Sequence, residues 1–570
     1  MPDILAEDVD DAPAATVLRE RRRSGSALWW PLVALVSAAA VAYAVLNRRL
    51  TGDLQYTLGA LRTGGEGGYS PSEVFTHRPY FYRWFIAGLD SWTFGTTTAR
   101  EALIAAAGVL LAAAAAYALY AALLRRVTGR EAALTAGATG LALALAPRND
   151  FLQAEWAAVV LTVVAVAASI GLERTWRAVL LAAVPLALAV LMKYSTATTA
   201  VIGVLLVYAV DRGRAVRLAL VSVPVAVGLF GVSLLAGSHE WQWVGDMPAT
   251  NQSTLGRTGI HPLFILERSV DYLADRAVPS PVLLLVPGAL LLVLTRVSGR
   301  RRRIELSLVA LTVGLCAHAA VVVQGNWFLY HGAPMPVLAA AVWGLAVGGA
   351  RRSPPWCFGA VSLLYGALPV LYTAAPRGFQ RPYVLWALGL LALLAALVDA
   401  VRERREAGPR RRSAALVALA GAVCLAGCVW PGSPHLVRQG KVTVTSAEYL
   451  REARLTEQEA DRLRSGMPDG APVLYLAFGN TAYYVGHPVQ CRYPAATFLQ
   501  RTRLIPDITE ATSYKENADC IDHDPAPYAV LDPRWFRLAQ VAPDLRRRIA
   551  ATYDCPPASG ESRLVLCRRK

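Results

Sequence analysis

A handful of residues could do chemistry by their type and place. Asp53 stands just past the first long apolar run, and the same segment continues through TGGEGGYSPSEVFTHRPYFYRWF, which carries His77 and Arg78. Asp150 and Glu155 lie in PRNDFLQAEWAAVV, with Glu155 one turn into an apolar helix. A helix macrodipole accounts for an acid at a helix start, but an acid inside an apolar helix is dearer than that role needs. Lys193 ends an apolar run in LMKYSTA. It could simply snorkel, or hold a phosphate as a point charge beside the carboxylates. Tyr330 and His331 close QGNWFLYHGAPMP, where the chain re-enters an apolar run. An aromatic anchor and a polar lining both fit them.

The elements that must position these residues follow from the composition. The chain has 570 residues, 55% hydrophobic and only 17% charged. Soluble proteins carry about 25% charge, so neither a single soluble domain nor a disordered chain fits. About thirteen apolar stretches could cross a bilayer as helices: near 27–47, 101–124, 131–147, 154–172, 177–192, 197–211, 215–236, 280–296, 305–324, 332–350, 355–374, 382–401 and 413–430. The expected fold class is therefore a polytopic α-helical membrane protein with a small C-terminal α/β domain. Residues 1–26 read as a disordered cytoplasmic tail, 27–430 as the membrane domain with a first external loop at 48–100, and 431–570 as the extracytoplasmic domain.

Charge orients the spans. Lys and Arg number 57 against 41 Asp and Glu, a net +16. Residues 431–570 hold 19 of the cations and 16 of the acids, so nearly all the excess lies in the membrane half. Arg clusters precede the first span and follow every second one thereafter: Arg125, Arg126 and Arg130; Arg174 and Arg177; Arg212, Arg214 and Arg217; 300–303; Arg351 and Arg352; Arg402, Arg404 and Arg405 with 410–412. All fall on one side if the N-terminus is cytoplasmic, which puts the C-terminal domain outside. Arg48 and Arg49 are the exception. Basic loops of a membrane protein explain the high pI, and nucleic acid is not the expected partner. Seven of the eight histidines fall on the outer side, as do Asp53, Asp150, Glu155, Lys193 and His331. Chemistry is expected at the outer surface.

Within the first loop, Leu54, Leu58 and Leu61 repeat at helical spacing and suggest an interfacial helix. The C-terminal part reads as a helix over 447–463, a strand over 472–478, a helix opening at 480–484, a strand over 528–531, a helix over 534–548 and a strand over 564–567. It has no nucleophile triad, phosphate loop or nucleotide fingerprint. Its four cysteines, Cys491, Cys520, Cys555 and Cys567, suggest two disulfides in an oxidising compartment, with the pairing open.

Taken in order, side and spacing, these motifs resemble the GT-C superfamily of integral-membrane glycosyltransferases. Asp53 with Tyr56 and the Gly-rich run resembles the first-loop acid motif of enzymes that use polyprenyl-phosphate sugars. Gln153 and Glu155 resemble the second-loop acid, Lys193-Tyr194 the end of a later span, and Gln324 to His331 a Q-K-x-F-x-Y-H-x-x-P segment in which Asn326 and Trp327 depart from the pattern. The resemblance covers roughly 27–400. It implies transfer of a sugar from a polyprenyl-phosphate donor to a glycan, glycolipid or protein acceptor outside the plasma membrane of a bacterium, with inversion at the anomeric carbon. It further implies Asp53 as general base, and Arg78, Lys193, His331 and His77 with Tyr330 around the donor phosphate. Glu155 or Asp150 would orient the acceptor, or hold a divalent cation such as Mg or Mn together with Asp53. Tyr483, Tyr484, His487 and Arg492 are candidate acceptor contacts, because sugars stack on aromatic faces; core tyrosines are the alternative. A lipid or glycan flippase or transporter, and a polysaccharide polymerase or ligase, are the rival functions. A transporter would show more charge within its spans.

Overall fold

A bilayer offers no hydrogen-bond partner to the backbone, so the apolar stretches must satisfy their own N–H and C=O groups as helices. The computed structural model describes residues 29–255, 262–351, 353–405, 414–505, 507–523, 525–557 and 563–570. Each of the thirteen stretches holds a helix, from Trp29–Asn47 to Ala414–Ala426. Among the described residues, nine helices are long and apolar enough to cross a membrane. The count is ten if Pro262–Ala277 and Pro281–Arg296, which meet at 110°, form one broken span. The expected tail at 1–26, Arg257, His261, Arg352 and 410–412 lie outside the described residues.

The Arg clusters do gather at one end of the bundle, where they tie helix ends together. Arg130 Nε donates to the Gly348 carbonyl at 2.9 Å, Arg214 Nη1 to the Leu172 carbonyl at 2.7 Å, and Arg296 pairs with Glu403 at 3.0 Å. Arg48 and Arg49 sit at the other end, and the structure explains the exception. Arg48 is 6% exposed, donates to the carbonyls of Ala144 and Ala146, and lies 3.9 Å from the Phe151 ring centroid. Arg49 bridges Glu101 at 3.2 Å and Glu457 at 3.0 Å. Both are joints between parts of the protein.

The C-terminal part begins with a hairpin absent from the sequence reading: β1 (Pro434–Arg438) pairs antiparallel with β2 (Lys441–Thr445). Thr445 and Glu448 then form a capping box that starts helix Ser446–Ser465. β3 (Val473–Leu476), β4 (Tyr528–Leu531), β5 (Tyr553–Asp554) and β6 (Val565–Arg569) form one sheet in the order β3-β4-β6-β5, with β3 and β4 parallel and the other pairs antiparallel. The helix expected over 534–548 forms only from Pro543 to Thr552, because Pro543 fits the first turn but cannot donate inside a helix begun earlier. Cys491 pairs with Cys520 and Cys555 with Cys567.

A second correction concerns the first loop. Helix Gly52–Glu66 is not interfacial: Leu54 and Leu58 are fully buried, clamped between the bundle and helix Asn480–Val485. The contact is backbone-close. A Cβ on Gly59 would stand 2.4 Å from the Tyr483 backbone nitrogen, which only glycine tolerates. The C-terminal domain therefore rests directly on the helix that begins with Asp53.

Candidate active site

Asp53 occupies the first turn of helix Gly52–Glu66, where the helix dipole favours its charge. Arg78 reaches it from the end of the same loop: Arg78 Nη2 lies 3.1 Å from Asp53 Oδ2, with side chains 10% and 30% exposed. The Arg78 backbone is held by Arg83, whose Nη1 donates to the Arg78 carbonyl at 2.7 Å. Arg83 also donates to the Pro71 carbonyl at 2.7 Å and pairs with Glu240 at 2.8 Å, and both side chains of that pair are buried. Burial opposes the Arg78 charge, but Asp53 and then Tyr330 outweigh it, so its pKa lies above the usual arginine value.

Glu155 opens helix Ala154–Gly171 and Lys193 follows helix Thr175–Met192. Lys193 Nζ donates to Glu155 Oε1 at 2.6 Å and lies 3.4 Å from His331 Nε2. Burial holds the Lys193 pKa below the ordinary lysine value, with Glu155 opposing. Lys193 Nζ is also 5.5 Å from the Tyr330 ring centroid, and the Tyr330 hydroxyl sits beside Asp53. Tyr330 and His331 meet edge to face at 4.6 Å. Asp53, Arg78, Glu155, Lys193, Tyr330 and His331, read from four separate segments, thus converge in one cluster. His77 lies beside it, edge-on to Tyr56 at 4.5 Å, and burial, then the Arg78 charge, push it down to about 3.

Three local backbone conformations aim this cluster. His77, Leu152 and Trp327 all have positive φ (40°, 61° and 54°), and each lies a few residues before a site side chain. Non-glycine residues persist there only when their surroundings over-determine them. Leu152 shows how: the Tyr82 hydroxyl donates to its carbonyl at 2.8 Å. Among the described residues, two polar atoms of the cluster have no partner, Glu155 Oε2 and His331 Nδ1. Buried polar atoms are normally satisfied, so these two are the open hydrogen-bonding positions of the site.

Other candidates fall elsewhere. Asp150 is held at both oxygens by Arg276, a pair 1% and 0% exposed, so its charge is neutralised within the scaffold. The sequence reading missed Arg276, whose only signal is a cation in the last turn of an amphipathic helix. Among the described residues, no three His, Cys, Asp or Glu side chains converge as a metal would require. Asp53, Asp150 and Glu155 are instead paired with Arg78, Arg276 and Lys193. The candidate acceptor contacts are also engaged. The Tyr483 hydroxyl donates to Glu101 at 3.0 Å, the Tyr484 hydroxyl accepts from Gln55 at 2.7 Å, and His487 is 3% exposed behind Tyr475. Arg492 is bonded to His239. Tyr483, Tyr484 and Arg492 thus join the domain to the membrane part, while His487 packs within the domain.

No protein-family model and no curated protein matches the sequence. Solved structures do resemble it. ArnT from Cupriavidus metallidurans in the apo state superposes with a TM-score of 0.52 at 15% identity, covering 95% of this chain and 98% of that one. The same protein bound to undecaprenyl phosphate gives 0.51 at 15% identity over the same shares. The Archaeoglobus fulgidus oligosaccharyltransferase in the apo form gives 0.42 at 13% identity, covering 92% of this chain and 73% of that one. At these identities the likeness is one of fold, and it extends through the membrane bundle into the C-terminal domain. The chain shares the fold of ArnT.

Proposed function

We propose that this chain is a membrane glycosyltransferase that moves a sugar from a polyprenyl-phosphate donor to a hydroxyl on an extracytoplasmic glycan, glycolipid or protein. The observation that carries the reading is the convergence of Asp53, Arg78, Glu155, Lys193, Tyr330 and His331 at the end of the bundle covered by the C-terminal domain. That ArnT, of the same fold, has been solved with undecaprenyl phosphate supports a lipid phosphate as the donor's carrier. The Arg-rich opposite end supports a cytoplasmic N-terminus and an outward site in a bacterial plasma membrane.

The geometry suggests how the residues divide the work. An acceptor hydroxyl is a weak nucleophile, and Asp53 takes its proton as the new glycosidic bond forms. In the unliganded site Arg78 occupies Asp53. A donor phosphate attracts Arg78 and Lys193, which frees Asp53 and places both cations where negative charge grows on the leaving phosphate. The Tyr330 hydroxyl and His331 add hydrogen-bonding groups to the same phosphate. Glu155, bound to Lys193 by one oxygen, keeps Oε2 for a second acceptor hydroxyl. Attack opposite the phosphate gives inversion. The charged side chains gather at the two ends of the bundle, which favours an enzyme over a transporter.

The test uses membranes containing the parent protein or Asp53→Asn at equal expression, supplied with a panel of radiolabelled polyprenyl-phosphate sugars. Label should enter endogenous acceptors with the parent only. Transfer by both moves the base to Glu155, and transfer by neither from any donor refutes the reading.

A further inference from the structure

Outside the cluster around Asp53, the described residues enclose a second polar site, where the PRND turn, the bent helix Pro262–Ala277 and the β1–β2 hairpin meet. Arg148, Asp150, Arg276, Cys428, His435 and Ser446 line a small polar chamber there. A neighbouring chamber shares Arg148, Cys428 and Ser446 and adds Arg48.

The charge around these chambers does not balance. Arg48, Arg148 and Arg276 are three cations, and the acids near them are already paired: Asp150 has both its oxygens on Arg276, and Glu101 bridges Arg49. Arg48 spends its guanidinium on two backbone carbonyls, and Arg148 Nη2 on the carbonyl of Asn47 at 3.2 Å. The Cys428 thiol donates to the Leu145 carbonyl at 2.9 Å and supplies no anion. Among the described residues, three nitrogens on the lining residues have no partner: Arg148 Nη1, Arg276 Nε and His435 Nδ1. Arg276 is fully buried, and His435 is half-buried and stacked on Tyr449 at 4.0 Å. Burial holds the pKa of Arg48 down to about 9 and that of Arg148 below its usual value. A buried cation without a counter-charge and an unsatisfied buried donor are both unfavourable.

We propose that the chamber between Arg148, Arg276 and His435 is a binding site for one small monovalent anion, chloride in the cell, that pins the C-terminal hairpin to the membrane bundle. Charge selects the class: a water would bond the free nitrogens but leave the cationic excess, which one monovalent anion offsets. The site is independent of the transfer reaction, since none of its side chains belongs to the Asp53 cluster.

The experiment is thermal unfolding of the detergent-solubilised full chain in sodium gluconate, chloride or bromide at equal ionic strength. Chloride and bromide should raise the midpoint along a saturating curve, Arg148→Gln should abolish the rise, and Asp53→Asn should keep it. Arg148→Lys, which keeps the charge, should retain the rise at a several-fold higher halide concentration. Equal midpoints in gluconate and chloride, or an unchanged rise in Arg148→Gln, overturn the proposal. If Arg148→Gln fails to fold, bromide-soaked crystals of the parent decide. An anomalous peak in the chamber supports the site, and an ordered water there at saturating bromide refutes it.

Discussion

Replacing Arg83 by Met, inside helix Tyr80–Asp90, should be strongly destabilising. Arg83 is 1% exposed and makes four hydrogen bonds: to the carbonyls of Pro71, Arg78 and Ser72, and to Glu240 at 2.8 Å. Met fills much of the same volume, so the loss is mainly electrostatic. It leaves the Glu240 carboxylate, 2% exposed, with only neutral donors, the Tyr80 N–H at 2.9 Å and the Tyr194 hydroxyl, and no cation among the described residues paired with it. Breaking a buried pair by removing one partner costs about 3–5 kcal/mol, because the other charge stays buried and unpaired. Adding Glu240→Gln removes that charge. The double variant Arg83→Met/Glu240→Gln should therefore recover about 2 kcal/mol relative to the sum of the two single losses. Denaturant unfolding of the full chain in mild detergent measures all four corners of the cycle. A loss under about 1 kcal/mol for Arg83→Met, or strict additivity in the double variant, refutes the argument that this pair is desolvated. The same variant bears on activity. Arg83 holds the Arg78 carbonyl, so transfer should fall even where the protein is folded, while Glu240→Gln, which keeps Arg83, should lose less.

Other expectations follow from the same structure. Lys193→Met leaves Glu155 buried and unpaired and removes a phosphate cation, so transfer should fall at least about 100-fold, with Lys193→Arg recovering part of it in the same sugar-transfer assay. Gly59→Ala places a Cβ against the Tyr483 backbone, which cannot rotate away; about 1–3 kcal/mol should be lost, and limited proteolysis should cleave between bundle and C-terminal domain more readily. Cys491→Ser opens a link that spans 29 residues and should cost about 3 kcal/mol in thermal unfolding under oxidising conditions. His77 and His435 each have a folded-state pKa near 3, lowered first by burial and then by the charge of Arg78 or Arg148. The unfolded chain binds these two protons near pH 6.5, so the stabilisation is fully present above that pH and falls between about 6.5 and 3. Unfolding midpoints from pH 7.5 to 5 should fall on acidification, and His435→Gln should flatten the slope.

The sequence by itself determined the membrane bundle, the polarity of its two ends and the identity of the clustered side chains. Each has a local physical cause. A bilayer admits only segments that satisfy their own backbone, so the thirteen apolar stretches had to become helices. Arginine clusters mark one end because their charge is costly anywhere else. Asp53, Glu155, Lys193 and His331 stand out because polar groups at the heads and tails of apolar helices need a reason to be there.

Tertiary structure alone decided the partners. Asp150 and Arg276 lie 126 residues apart, Arg83 and Glu240 157, and Tyr483 and Glu101 382, and no periodicity reports a pairing over such distances. For that reason Asp150, which reads in sequence like Glu155, proves to be scaffold: Arg276 takes both its oxygens, whereas Glu155 keeps one open. Leu54 and Leu58 repeat with the period of a helix face, but periodicity says only that the face is covered, not whether by lipid or by protein. The C-terminal domain covers it, through Tyr483 and Tyr484 among others.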